Sequence, residues 1–128
     1  TLFWTLPESG AVNRGIFNID NNYIQTIEET FAIEKSKLKE KNLTETSMAS
    51  QNLFALHQET LGCLSEIVKQ FKETHKTDRK VECLLPNDLS SLIQQKKLTM
   101  KIYPAEEKCL GVTNPEDEEI LKRELSKI

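Results

Sequence analysis

Between Thr46 and Lys80 the chain runs without proline and with a single glycine, Gly62, and its apolar residues recur at alternating spacings of three and four. Phe54, His57, Leu61, Leu64, Val68, Phe71 and His75 fall on one stripe of a helical surface. Leu53, Leu56, Thr60, Cys63 and Ile67 form a second stripe beside the first. A helix apolar on two adjacent flanks touches more than one neighbour, and at about 1.5 Å per residue this run reaches roughly 50 Å. That length favours an all-α, elongated helical bundle with one long central helix over a globular enzyme.

The rest of the chain is read around that helix. Leu2, Phe3 and Trp4, followed by Pro7, Gly10 and Gly15, make residues 1–20 an N-terminal arm anchored by large aromatic rings. Asp20 or Asn21 serves as an N-cap, and Ile24, Ile27, Phe31 and Leu38 continue at helical spacing, which predicts a helix over 22–41. Thr46 or Ser47 caps the long helix over 46–80. Pro86 ends or kinks it, and Asn87 or Asp88 opens a short helix over 87–96. Thr113-Asn114-Pro115-Glu116 is a helix start, giving a last helix over 114–128 with Ile120, Leu121, Leu125 and Ile128 on its buried side. Leu98, Met100 and Ile102 alternate with Thr99 and Lys101, the one strand-like pattern, so a short strand over 98–102 is the sole departure from all-α. The expected organisation is a single helical domain or a fragment of one.

With 128 residues, 38% hydrophobic and 29% charged, the chain can bury a modest core, and its periodic apolar residues exclude wholesale disorder. The formal charge of -3 conceals local excess. Lys35, Lys37, Lys39 and Lys41 crowd one segment, Lys69, Lys72, Lys76, Arg79 and Lys80 another, and Glu116, Asp117, Glu118 and Glu119 begin the last helix, where the dipole favours acids. Cys63, Cys83 and Cys109 fit neither a disulfide framework nor a zinc site and read as reduced thiols of a cytoplasmic protein. Asn42-Leu43-Thr44 is a glycosylation sequon that matters only to a secreted chain. No apolar run reaches the ~18 residues of a membrane span. There is no Gly-rich phosphate loop, no nucleophile motif, and no metal-ligand pair at helical spacing on a polar face; His57 and His75 sit where packing explains them. The reading is therefore non-enzymatic, with no catalytic, cofactor or metal residues, and without the basic-aromatic interleaving of a nucleic-acid module.

Several short pieces carry a family resemblance. Residues Ala55 to Leu61, then Ser65-Glu66-Ile67-Val68-Lys69, Phe71 to Lys76 and Asp78-Arg79-Lys80 resemble the third-helix region of F-BAR domains. Phe3-Trp4 with Ser9-Gly10 is similar to the opening of that family, Thr30 to Lys35 with Leu38 to its second-helix signature, and Lys96 to Cys109 to the Lys-rich stretch beyond its kink. The chain is shorter than an F-BAR domain, and Pro86 and Pro104 interrupt what is helix there, so the resemblance implies a shortened member or a fragment. It also makes 98–102 helix. A lesser resemblance, in Leu2 to Thr5, Ile19-Asp20, Ile27-Glu28, Phe31 and Leu84-Leu85-Pro86, is to the start of formin homology 2 domains and implies actin regulation.

The F-BAR resemblance implies a dimeric scaffold peripheral to anionic membranes and linked to the actin cytoskeleton. Lys35, Lys37, Lys39, Lys41, Lys69, Lys72, Lys76, Arg79 and Lys80 would face the lipid, each contributing about 1 kcal/mol near such a surface. Phe54, His57, Leu61, Leu64, Val68, Phe71 and His75 would form the homodimer or partner seam. The competing expectation is a protein-interaction bundle, formin-like or otherwise, that uses this seam with another helical protein and binds no lipid.

Overall fold

Asn21 and Asn22 both have left-handed backbone, φ 49° and 66°. They stand between Asp20 and Tyr23, which pair across two antiparallel strands. A two-residue turn with positive φ at both positions matches the twist of the strands it joins, and Asn tolerates that region better than most residues. The pair therefore closes a hairpin of β1 (Val12–Asp20) and β2 (Tyr23–Ile33). A two-residue strand, β3 (Met48–Ala49), adds antiparallel to β1, giving the sheet order β2-β1-β3. The computed structural model describes residues 1–7, 10–105 and 117–127.

The hairpin explains why this segment imitates a helix. Ile19 pairs with Ile24 and Asn18 with Thr26, so Gln25 is an extra residue in β2, and Phe17 then pairs with Ile27. A bulge of this kind breaks strict alternation. Here it returns Ile24 and Ile27, three apart, to one face of the sheet. A second irregularity, between the Arg14–Thr30 and Val12–Ile33 pairs, holds Ala32 at φ 51° and ties its N–H to Asn13 Oδ1 at 2.9 Å. The three-residue step from Ile24 to Ile27, which suggests a helix over 22–41, is a strand spacing stretched by the first bulge.

Each face of the sheet carries its own core. On one, Ile33 meets Leu2, Leu38 and Leu43, with Val12, Ile16, Leu6 and Ala49 packed around them. Leu2 belongs to a 3-10 turn over Leu2–Thr5, and Leu38 to an irregular 3-10 segment over Lys35–Lys41. The first turn is fixed by Leu2 N–H to Ser47 O at 2.7 Å and Phe3 N–H to Glu45 O at 3.0 Å. On the other face Ile24, Ile27, Leu89 and Met100 form the buried centre, with Phe17, Phe54, Leu56, Leu64, Ile93, Leu98 and Ile102 against it. α2 (Leu85–Gln94) supplies Leu89 and packs on β2. Gly15 faces this contact: a Cβ there would stand in ordinary van der Waals contact with Ile27 Cγ2 at 3.4 Å and Pro86 Cγ at 3.5 Å. Ser90 Oγ accepts a buried hydrogen bond from Ile27 N–H at 3.0 Å, binding the helix to the strand. The 98–102 segment runs beside the start of β2, with Ile24 N–H to Met100 O and Ile102 N–H to Asn22 O both at 2.9 Å and one bridge between Tyr23 and Lys101. These contacts cover a strand edge.

The architecture is thus mixed α/β, not an all-α elongated bundle, and the description as a coiled-coil helical bundle falls with it. The 46–80 stretch divides into β3, an extended segment and α1 (Gln58–Thr74). Asn52 at φ 56°, with its N–H on Ser50 Oγ at 3.0 Å, turns the chain out of any helix. Phe54 and Leu56 then reach the core at period two, while Leu53, Ala55 and His57 stay exposed. The short helix expected over 87–96 starts two residues earlier, at Leu85, with Pro86 in its first turn, where a missing N–H matters least. α3 (Asp117–Leu125) lies inside the helix expected over 114–128. Thr113 to Glu116, Cys109 and Ile128 lie outside the described residues, as does Ser9 of the aromatic arm.

Candidate functional site: the outer face of α1

Among the described residues α1 makes no extensive contact with another element. By helical spacing its apolar residues form two flanks. Thr60 is buried, Cys63 and Ile67 are half-buried, and Leu64 packs on the cluster around Leu89. The other flank is open: Leu61 is 54% and Val68 38% exposed. With Leu64 and Ser65 they form an apolar depression along the helix, rimmed by Lys69, Lys72 and Glu73. Leu61, Ser65, Val68 and Lys72 follow one another at spacings of four, three and four, so the lysine lies in line with the apolar residues rather than opposite them.

The structure brings together only part of the expected seam. Leu61, Leu64 and Val68 share this surface. Phe54 belongs to the core, and His57 is an exposed residue at the α1 N-cap, its Nδ1 3.8 Å from Glu59 Oε2. Phe71 and His75 close the other end of the helix: their rings stack at 4.3 Å, and His75 bonds Phe71 O through its N–H at 3.0 Å and contacts it through Nδ1 at 2.9 Å. Ser65 and Glu73 were missed as lining residues. The signal was available, since Ser65 is four residues from Leu61 and Glu73 borders Lys72 and Lys69.

The lysines expected to face lipid divide between elements. Lys35, Lys37, Lys39 and Lys41 are in the 3-10 segment after β2, Lys69 and Lys72 are on α1, and Lys76, Arg79 and Lys80 follow its end. Lys37 pairs with Glu34 at 2.8 Å, and that hydrogen bond and charge raise its pKa. Lys35 Nζ stands 5.5 Å from the Phe3 ring centre, and Phe3 meets Trp4 edge-on at 4.9 Å. Cys63 and Cys83 are free thiols. Cys83 Sγ donates to Asp88 Oδ2 at 3.1 Å; burial pushes its pKa up, and the hydrogen bond and charge of Asp88 add to the rise. Among the described residues no helix is long and apolar enough to cross a membrane, and no His, Cys, Asp and Glu cluster has the makings of a metal site. Compared with known proteins, the chain matches no family model and no curated sequence.

Proposed function

We propose that this chain is a protein-interaction module whose α1 outer face receives an amphipathic, acidic helix from a partner. The observation that carries the reading is the row of exposed Leu61, half-buried Leu64 and exposed Val68, with Lys69 and Lys72 set into and beside it. An apolar stripe at i, i+3 and i+7 on a helix anchored at one flank is the half-site of helix-on-helix recognition, in which the partner supplies apolar anchors at the same spacing. The two lysines select carboxylates on that partner and disfavour a basic one. Glu66 and Glu73 flank Lys69 and Lys72 along α1, a pattern better suited to a helix of mixed charge than to a uniformly anionic lipid surface.

Site-specific photo-crosslinking tests this. A photoreactive side chain at Leu61 or Val68 should yield adducts to a segment with apolar residues at helical spacing and carboxylates beside them. The same group at Gln70, on the opposite side of α1 by helical spacing, should yield none. Equal labelling from Gln70, or adducts to segments without that pattern, would overturn the reading.

A further inference from the structure

The open flank of α1 has a finer geometry than a row. Leu61, Leu64, Ser65 and Val68 stand at i, i+3, i+4 and i+7, and so do Ser65, Val68, Lys69 and Lys72. Four residues at those positions are the corners of the hole into which a facing helix inserts one side chain. All of them line the same depression, which therefore consists of two holes in series that share Ser65 and Val68, one turn or about 6 Å apart. The first has Leu61, Leu64 and Val68 at three corners and suits a large apolar side chain. The second has Lys69 and Lys72 at two corners, so it combines aliphatic stems with two ammonium groups. Among the described residues neither lysine has an ion-pair partner. Glu59, Glu66 and Glu73 recur every seven residues and by helical spacing form a row beyond Lys69, at none of the corners. Ser65 is the smallest side chain of the set and belongs to both holes, so it keeps both of them wide.

We infer that the α1 outer face selects two side chains one turn apart on its partner helix, a large apolar residue for the first hole and a glutamate for the second, and that Ser65 sets this specificity. This rests on reading the face as a helix-docking surface, and it names the sequence feature that the surface selects. Glutamate suits the second hole better than aspartate, because its longer stem packs along the lysine methylenes while its carboxylate reaches the two ammonium groups. A bulkier residue at 65 narrows both holes, yet it also adds apolar area to the stripe. Those two effects on binding have opposite signs, which separates recognition by shape from general apolar burial.

The test is a fluorescence-anisotropy titration of labelled synthetic helical peptides with the full chain. The probe carries a row of leucines and one glutamate four residues from the central leucine; the control has the same composition with that glutamate moved to the opposite side of the helix. Residue 65 is exposed, so its substitution leaves the fold intact, which circular dichroism checks. Ser65→Leu should weaken probe binding about tenfold or more, the cost of overpacking a close contact. Ser65→Ala should leave it within about twofold. The control should bind about two- to fivefold more weakly than the probe, the worth of an exposed ion pair. Lys72→Glu should remove that preference, and a probe with lysine in place of the glutamate should restore it. Unchanged or tighter binding to the Ser65→Leu chain, or equal affinity of probe and control, would overturn the inference while binding that Leu61→Glu abolishes keeps the docking reading. Failure of both peptides to bind the wild-type chain would remove the docking reading and the inference with it.

Discussion

Leu89→Ala and Leu61→Ala delete the same atoms from two helices, and the fold assigns them very different consequences. Leu89 is 0% exposed, at the centre of the cluster that joins α2 to the sheet. Removing three carbons there forfeits about 2.4 kcal/mol of transfer free energy at ~0.8 kcal/mol per methylene. The cavity left between Ile24, Ile27 and Met100 brings the total to about 3–4 kcal/mol. Leu61 is 54% exposed, so the transfer loss is roughly halved, no enclosed cavity forms, and alanine's better helix propensity returns a few tenths; the net loss is about 1 kcal/mol or less. Urea unfolding, monitored by circular dichroism, measures both. For a chain of this size a slope of about 1–3 kcal/mol/M separates the two midpoints by roughly 1 M or more. Had the chain formed a bundle around the Phe54 to His75 stripe, Leu61 would be the costlier site. Equal losses, or a larger one at Leu61, would refute the sheet-and-α2 core.

Three other outcomes follow from single contacts. Ser90→Ala leaves the Ile27 N–H without its buried acceptor and should destabilise by about 1–3 kcal/mol; unchanged stability and unchanged exchange at Ile27 would deny the bond its role. Gly62→Ala meets nothing within 4 Å of the added methyl and should stabilise by about 0.5–1 kcal/mol in a thermal or urea melt, whereas a loss would mean that Gly62 is covered. The raised Cys83 pKa means slow alkylation at pH 8, and Asp88→Asn, which removes a charge that opposes the thiolate, should speed it. Because that pKa is raised in the folded state, its contribution to stability is present below the unfolded thiol pKa and is lost as pH climbs through the folded one. Alkylation unaffected by Asp88→Asn would remove Asp88 as a cause.

Much of the helical content could be read from spacing, and most of the sheet could not. α1 and α2 show their periodicity over Leu61 to Phe71 and Leu89 to Ile93, undisturbed by special backbone. The hairpin hid because its first bulge sets Ile24 and Ile27 on one face at a spacing of three, while its second leaves Ile33 to the opposite face. Asn21 and Asn22 read equally as a cap or as a left-handed turn, and only the flanking Ile, Phe, Tyr and Thr residues argued for strands. The stretch before α1 misled for another reason. Phe54 and Leu56 are spaced for an extended chain, yet they join smoothly onto the helical series from Thr60 onward. On the outer face of α1, Leu61, Leu64 and Val68 were legible as a set, because a helical stripe has the same spacing whether it is buried or exposed. Sequence could not say that its second flank would be covered by this chain's own core and its first left open.

The central claim, that the outer face of α1 seats an acidic amphipathic helix, is tested most directly by titrating the isotopically labelled full chain with such a helix. A synthetic peptide with leucines at i, i+3, i+4 and i+7, flanked by glutamates, serves as the probe. The amide resonances of residues 61–72 should shift saturably, the affinity should fall as salt rises, and the Leu61→Glu/Val68→Glu chain should give no response while its sheet resonances stay in place. Shifts absent from α1, or centred on Phe3 and Trp4 instead, would contradict the account.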